Sequence, residues 1–217
     1  MKKLTQLAAG ALIAGSALVS TSAYAEGEVS YNIGFASEYY FRGIKQKDSS
    51  ASLGADYTNG GFYIGTWAAD VGDGLEVDGY FGYGIETESG FSASLGFTGY
   101  YYTGEFDDTY EEVNLNLGYG MVGFEYSKGE WDGFGADADY DFMALTISGE
   151  SGFYGTYGTF GDDFDGDYIE IGYGTTIADL DIGIAAIFSD EDLSDELDSK
   201  GSPDRSEAVV FSIGKSF

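Results

Sequence analysis

From Glu28 to Phe217 the chain changes residue character at every second position, segment after segment. A period of two places alternate side chains on opposite faces of a strand and argues against amphipathic helices. The clearest segment sets Leu75, Val77, Phe81, Tyr83 and Ile85 against Glu76, Asp78, Tyr80, Gly82, Gly84 and Glu86. Phe91, Leu95, Phe97 and Tyr101 repeat the pattern against Ser92, Ser94, Gly96 and Thr98, and Val113, Leu115, Leu117 and Tyr119 against Glu112, Asn114, Asn116 and Gly118. The first strand is predicted over about Glu28 to Phe41, with Val29, Tyr31, Ile33, Phe35, Tyr39 and Phe41 on one face. Others are predicted over Ser50 to Thr58, Phe62 to Ala69, a short Met121 to Lys128, Asp139 to Ser148 and a glycine-rich Gly152 to Phe160. In the segment from Asp139 either Phe142-Ala144-Thr146 or Met143-Leu145-Ile147 could form the apolar face, and the second set has the greater apolar area. Two more strands carry Ile169, Ile171 and Tyr173, then Leu180, Ile182, Ile184 and Phe188.

The closing strand alternates Val209, Phe211, Ile213 and Phe217 with Ala208, Val210, Ser212, Gly214 and Ser216. Phe211, Ile213, Gly214 and the final Phe217 resemble the assembly signal of bacterial outer-membrane barrels. In such a barrel the apolar face turns outward to lipid rather than inward to a core. The connections alternate in length. Short turns fall near 59–61, 87–90, 119–121, 149–152 and 176–179, longer loops near 42–50, 70–74, 103–109, 129–138, 161–167 and 190–206. That count requires about twelve strands, with short periplasmic turns, longer outer loops and both termini in the periplasm. The expected fold is therefore all-β: a transmembrane antiparallel up-and-down β-barrel. Tyr31, Tyr57, Phe62, Phe91, Tyr119, Phe153, Tyr173 and Phe217 fall near turn-side ends. Tyr39, Phe41, Trp67, Tyr101, Trp131 and Phe188 fall near loop-side ends, as two interfacial girdles would.

Residues 1–25 read as a cleaved signal peptide. Lys2 and Lys3 precede an apolar run from Leu7 to Val19, and Ala23-Tyr24-Ala25 has the form of a cleavage site. The remaining 26–217 make one domain, exported through the inner membrane to the bacterial outer membrane. The formal charge of −29 disfavours nucleic acid, and removing Lys2 and Lys3 makes it more negative still. An exported chain without cysteine needs stability from another source, and a closed barrel supplies it by leaving no strand edge. With 35 glycines, 19 tyrosines, 16 phenylalanines and one proline, the chain is too aromatic for a disordered segment. No histidine is present to act as a base, no catalytic spacing emerges, and no enzyme is expected.

Tyr39-Tyr40-Phe41-Arg42-Gly43-Ile44-Lys45-Gln46, Gly61-Phe62-Tyr63-Ile64-Gly65-Thr66-Trp67-Ala68, Leu75-Glu76-Val77-Asp78-Gly79-Tyr80 and the closing Gly214-Lys215-Ser216-Phe217 carry a resemblance. These segments resemble the TorF-type porin family of proteobacterial outer membranes, most specifically between residues 35 and 85. The resemblance implies an outer-membrane barrel of porin type.

With the apolar face outward, the other face lines a lumen. Expected pore-lining or constriction residues are Glu38, Arg42, Asp56, Glu76, Asp78, Glu112 and Glu170, with Tyr40, Glu86, Asn114, Asn116 and Glu125 beside them. Inward glycine, alanine and serine leave space, so the reading is a narrow acidic pore favouring cations. Arg42 is expected to face Glu38 or Glu76, either setting a field across a constriction or holding the first loop. Lys45 and Lys47 read as loop surface charges. Asp137-x-Asp139-x-Asp141 and Asp163-x-Asp165-Gly166-Asp167 begin like calcium loops but lack the closing glutamate at Ser148 and Gly174, so no metal and no cofactor is expected. The function read is passive diffusion of small cationic or neutral hydrophilic solutes. The alternative is a non-conducting structural or adhesive barrel with cation-binding acidic outer loops. Expected partners are membrane lipid, lipopolysaccharide, the barrel-assembly machinery and small solutes or cations.

Overall fold

The computed structural model describes residues 27–217, so the signal-peptide reading lies outside the described residues. Twelve strands close into an antiparallel barrel, and a separate two-stranded hairpin lies within it. In chain order these are β1 (Glu28–Ala36), the hairpin strands β2 (Tyr39–Phe41) and β3 (Ile44–Lys47), then β4 (Ser50–Asn59), β5 (Phe62–Gly72), β6 (Gly74–Glu86) and β7 (Phe91–Tyr102). They continue as β8 (Tyr110–Tyr119), β9 (Val122–Trp131), β10 (Ala138–Ser148), β11 (Phe153–Asp162), β12 (Asp167–Ile177), β13 (Leu180–Ser189) and β14 (Ser206–Ser216). Apart from the hairpin, each strand pairs with its chain neighbour, and β1 closes the seam on β14 through pairs such as Ile33↔Lys215 and Phe35↔Ile213. Beyond β14, Phe217 and Tyr31 exchange backbone hydrogen bonds in both directions. Closure satisfies every ladder, which is the one way a sheet avoids edges.

The outward face carries an apolar band around the whole circumference, with charged residues such as Lys128 and Glu207 towards the loop rim. Leu53, Phe81, Leu95, Val113, Leu145, Ile171, Ile184 and Phe211 are all exposed there. In β10 the outward set is Met143, Leu145 and Ile147, whereas Phe142 and Ala144 are buried inside. Turns of a few residues join strands at the rim that also carries Glu28 and Phe217. The opposite rim carries the segments 37–49, 103–109, 132–137, 163–166 and 190–205.

Four expectations need correction. The first strand stops at Ala36, because the chain turns into the lumen at Ser37 and Glu38 and carries Tyr39 and Phe41 inside rather than to the outward face. The 70–74 segment is a tight turn, with β5 running to Gly72 and β6 starting at Gly74. Positive φ at both glycines (93° and 98°) lets the strands continue almost to the tip. The strand from Val122 is ten residues long rather than short. The loop-side girdle is sparse, since Trp67 and Trp131 share the inward parity of buried Ala69 and Ser127, leaving Tyr101 and Phe188 outside. The turn-side aromatics Tyr31, Phe62, Tyr119, Phe153 and Phe217 are outward as expected.

Inside, the two halves differ. Towards the loop rim, Tyr40, Phe142, Ala144, Tyr168, Ala185, Ile187, Leu193 and Val210 form one buried apolar cluster. Tyr39, Ala69 and Val71 form a second, with Trp67 and Phe41 packed against it. Towards the turn rim the wall is polar and rich in small residues, but tyrosines occupy part of the space those residues leave. Tyr63 lies across Gly82 and Gly96, and Tyr154 across Gly172, each where any Cβ would collide with the ring. Glycine is required there for close approach.

Candidate functional site

The site is built around the tip of the β2–β3 hairpin. Phe41 pairs with Ile44, so Arg42 and Gly43 form a two-residue turn in which both φ angles are positive, 48° and 83°. Such a turn matches the twist of hairpin strands, and glycine suits it. Arginine does not, and at this position an L residue costs about 1–2 kcal/mol. What holds it there is the barrel wall.

Arg42 Nη1 donates to Glu112 Oε2 at 2.8 Å and Nη2 to Glu112 Oε1 at 2.9 Å, a two-pronged pair. Nη2 also donates to Glu125 Oε1 at 2.7 Å and to Ser127 Oγ at 3.0 Å. The guanidinium lies over the Phe142 ring with its carbon 4.3 Å from the ring centre, and 4.9 Å from that of Phe41. Arg42 is 7% exposed and Glu112 1%. A planar fork with fixed donors suits a paired carboxylate, and a ring face adds attraction to the cation.

Glu112 is a hub independently of Arg42. It accepts the Tyr100 hydroxyl at 2.8 Å, the Tyr140 hydroxyl at 2.9 Å and the Asn114 amide at 2.6 Å. Asn114 also donates to Ser127 Oγ at 3.0 Å. All these residues stand on β7, β8, β9 and β10. On the opposite side, Ser189 Oγ donates to the Gly43 carbonyl at 2.5 Å and the Tyr168 ring packs against Gly43. The tip therefore bridges the lumen, from β8 and β9 to β12 and β13. Its flanks are tied by the Tyr39 hydroxyl to Glu76 at 2.6 Å and by the Lys47–Asp70 ion pair.

The residues expected from sequence divide accordingly. Arg42 and Glu112 come together, but Arg42 meets neither Glu38 nor Glu76, because the hairpin turn aims it across the lumen instead of along the wall. Glu38 pairs with Lys45 at 3.2 Å near the hairpin base, where the Lys45 ammonium also bonds Asp48 and holds its carboxyl below the ordinary aspartate value. Lys47 is a buttress of the hairpin rather than a free surface charge. Glu76 accepts from Tyr39 and, at 3.3 Å, from Tyr102. Asp78 is 3% exposed and its Oδ1 has no hydrogen-bond partner among the described residues, although its cross-strand neighbour Tyr100 bonds Glu112. Asp56 and Glu170 face the turn-side half, each accepting a tyrosine hydroxyl, from Tyr80 at 2.5 Å and from Tyr154. Phe211 and Ile213 are outward and Gly214 inward in β14, with Phe217 exposed just beyond it.

Ser127, Tyr100, Tyr140 and Phe142 were not legible as site residues. Inward parity alone would have placed Tyr100 and Tyr140 on Glu112's face, but nothing in the sequence says that a loop reaches them.

The family model described as "Bacterial protein of unknown function (Gcw_chp)" matches residues 20–217. No curated protein matches. Among solved structures, the chain is similar to OccAB2 of Acinetobacter baumannii, at 13% identity and TM-score 0.43, over 86% of this chain and 59% of that one. It is similar to OprD of Pseudomonas aeruginosa at 14% identity and TM-score 0.42, over 87% and 66%. It is also similar to OpdK of the same organism, solved with vanillate, at 14% identity and TM-score 0.40, over 79% and 58%. The chain spans about three fifths of the length of OccAB2 and OpdK.

Proposed function

The chain belongs to the Gcw_chp family, which has no assigned function, and from its own barrel we propose a channel of the bacterial outer membrane, closed at its outer mouth by the β2–β3 hairpin. The observation that carries this reading is a closed barrel with an apolar band all round its outward face while its turn-side interior is polar. A soluble protein rarely exposes a contiguous apolar patch of more than a few hundred Å², whereas a bilayer requires such a band. The TorF-type porin resemblance agrees with it. On this reading residues 1–25 are removed on export, the strand bearing Phe211, Ile213, Gly214 and Phe217 is read by the assembly machinery, and the acidic loops meet lipopolysaccharide. Solutes are small, hydrophilic, and cationic or neutral, because Asp56 and Glu170 face the turn-side lumen and neither is paired with a cation among the described residues. No catalytic step is part of the reading.

A second reading has its own observation. The loop-side half of the interior is packed with apolar side chains, as in a structural or adhesive barrel that conducts nothing. Planar-bilayer recording separates the two. The wild type is expected to give rare, small steps, and a variant with residues 38–48 replaced by a short Gly/Ser linker larger, cation-selective ones. Inserted barrels of both kinds that stay silent would leave the structural barrel standing.

A further inference from the structure

The geometry points to a binding site for guanidinium-type cations on the inner wall, at Glu112 and Glu125, which Arg42 of the hairpin occupies in the closed barrel. Three observations carry the assignment. The receiving half stands wholly on barrel strands, and the Glu112 carboxylate is held by Tyr100, Tyr140 and Asn114, none of which belongs to the hairpin. Its form fits a planar fork: two carboxylate oxygens for one N–H from each terminal nitrogen, Glu125 and Ser127 sharing the second N–H of Nη2, and the Phe142 ring beneath. An ammonium is a point charge and cannot fill the two-pronged arrangement and the ring face together. Finally, acid exceeds base there. One guanidinium faces two glutamates, and on the neighbouring wall the buried Asp78 keeps an oxygen without a partner among the described residues.

Arg42 itself enters from an insert in a strained turn conformation, not from the wall. When the hairpin withdraws, the wall keeps a preformed acidic, ring-floored site whose best complement is the group just removed. The solute class is thus a small organic cation bearing a guanidinium, which competes with Arg42 for one place. Docking of hairpin and solute exclude each other, so the solute favours the open hairpin by its differential affinity for it.

This assignment rests on the channel reading for the solute's passage, but its test reads binding without conductance. Arg42→Ala barrels in detergent are heated with methylguanidinium, methylammonium or potassium at equal ionic strength, following loss of the heat-modifiable folded form. The expected result is a saturable upward shift with methylguanidinium, at about tenfold lower concentration than with methylammonium, the difference one hydrogen bond to a charged group makes. Glu112→Gln in the same background is expected to abolish the shift. Equal responses to all three cations, or a shift that survives Glu112→Gln, would reduce the cluster to a latch. If Arg42→Ala does not assemble, Ile44→Cys in the wild-type background serves, since the chain has no other cysteine. Maleimide labelling should then accelerate with methylguanidinium and not with methylammonium, and equal labelling overturns the site. Thermal rescue without conductance would keep the site and remove the channel, and conductance without rescue the reverse.

Discussion

Arg42 keeps a positive φ inside a protein because its guanidinium has nowhere better to go. The wall supplies two carboxylates, a hydroxyl and a ring face, and each is worth more in a dry interior than in water. The same burial makes the pair unforgiving. Removing the Glu112 charge takes away the two-pronged pair, and a hydrogen bond to a charged group is worth about 1.5–3 kcal/mol, while Glu125 still faces the guanidinium. In most proteins that loss would fall on global stability. Here Arg42 can leave with its hairpin and reach water, so Glu112→Gln is expected to loosen the hairpin while the barrel stays closed. A cysteine at Ile44 should react roughly tenfold to a hundredfold faster in that variant, with the heat-modifiable form retained. Loss of that form would mean that Glu112 supports the barrel directly.

Among the elements, the regular ones were legible and the irregular ones were not. The β6 and β7 strands follow from alternation alone, since a one-residue slip would turn Phe81 and Leu95 into the lumen. In β10, comparing the apolar area of two faces was enough to choose Met143, Leu145 and Ile147. The hairpin escaped because Tyr39 and Phe41 continue the phase of Phe35, and period two cannot separate a strand that climbs the wall from one that turns inside it. Nor does Arg-Gly announce a two-residue turn as Asn-Gly would. Trp67 misled for a related reason: an aromatic near a strand end suits an interface, but its parity was that of Ala69. The paired site on Arg42 depended on that unseen turn, so Glu112 was found and its partner misassigned.

The segment 190–205 is a different kind of element, ordered by its own backbone. Asp198 Oδ1 accepts the N–H groups of Lys200 at 2.7 Å and Ser202 at 3.0 Å, and Leu197 bridges Pro203. The Ser202 and Lys200 donors hold the Asp198 carboxyl below its ordinary value. A depressed folded value means that the contribution is complete above the unfolded value of about 3.9 and is lost as pH falls through the folded one. Amide exchange at Lys200 and Ser202 should therefore stay protected down to about pH 4 and weaken below it, with the β13 and β14 ladders unchanged. Protection that is flat to pH 2 would remove Asp198 from the turn.

For the whole molecule, closure and the outward band belong to one argument. A closed barrel has no edge to pair, and its polar ladders are complete, so its exterior is free to carry a continuous apolar band. In water that exterior would drive association; in a bilayer it sets depth. Ile184 stands at the middle of β13, with Tyr173 and Phe211 as its outward neighbours in register, while Leu180 begins the same strand at the turn rim. A charge on the outward face is penalised by depth, about 2–4 kcal/mol for arginine at the midplane and about 0–1 near an interface. Ile184→Arg is thus expected to lower the free energy of folding into lipid vesicles by the larger amount and Leu180→Arg by the smaller, measured by reversible urea titration. Depth is the only difference between the two that the bilayer can read, because both side chains point outward from one strand. Equal penalties would mean that the outward face of β13 does not cross hydrocarbon, and the channel would fall with it.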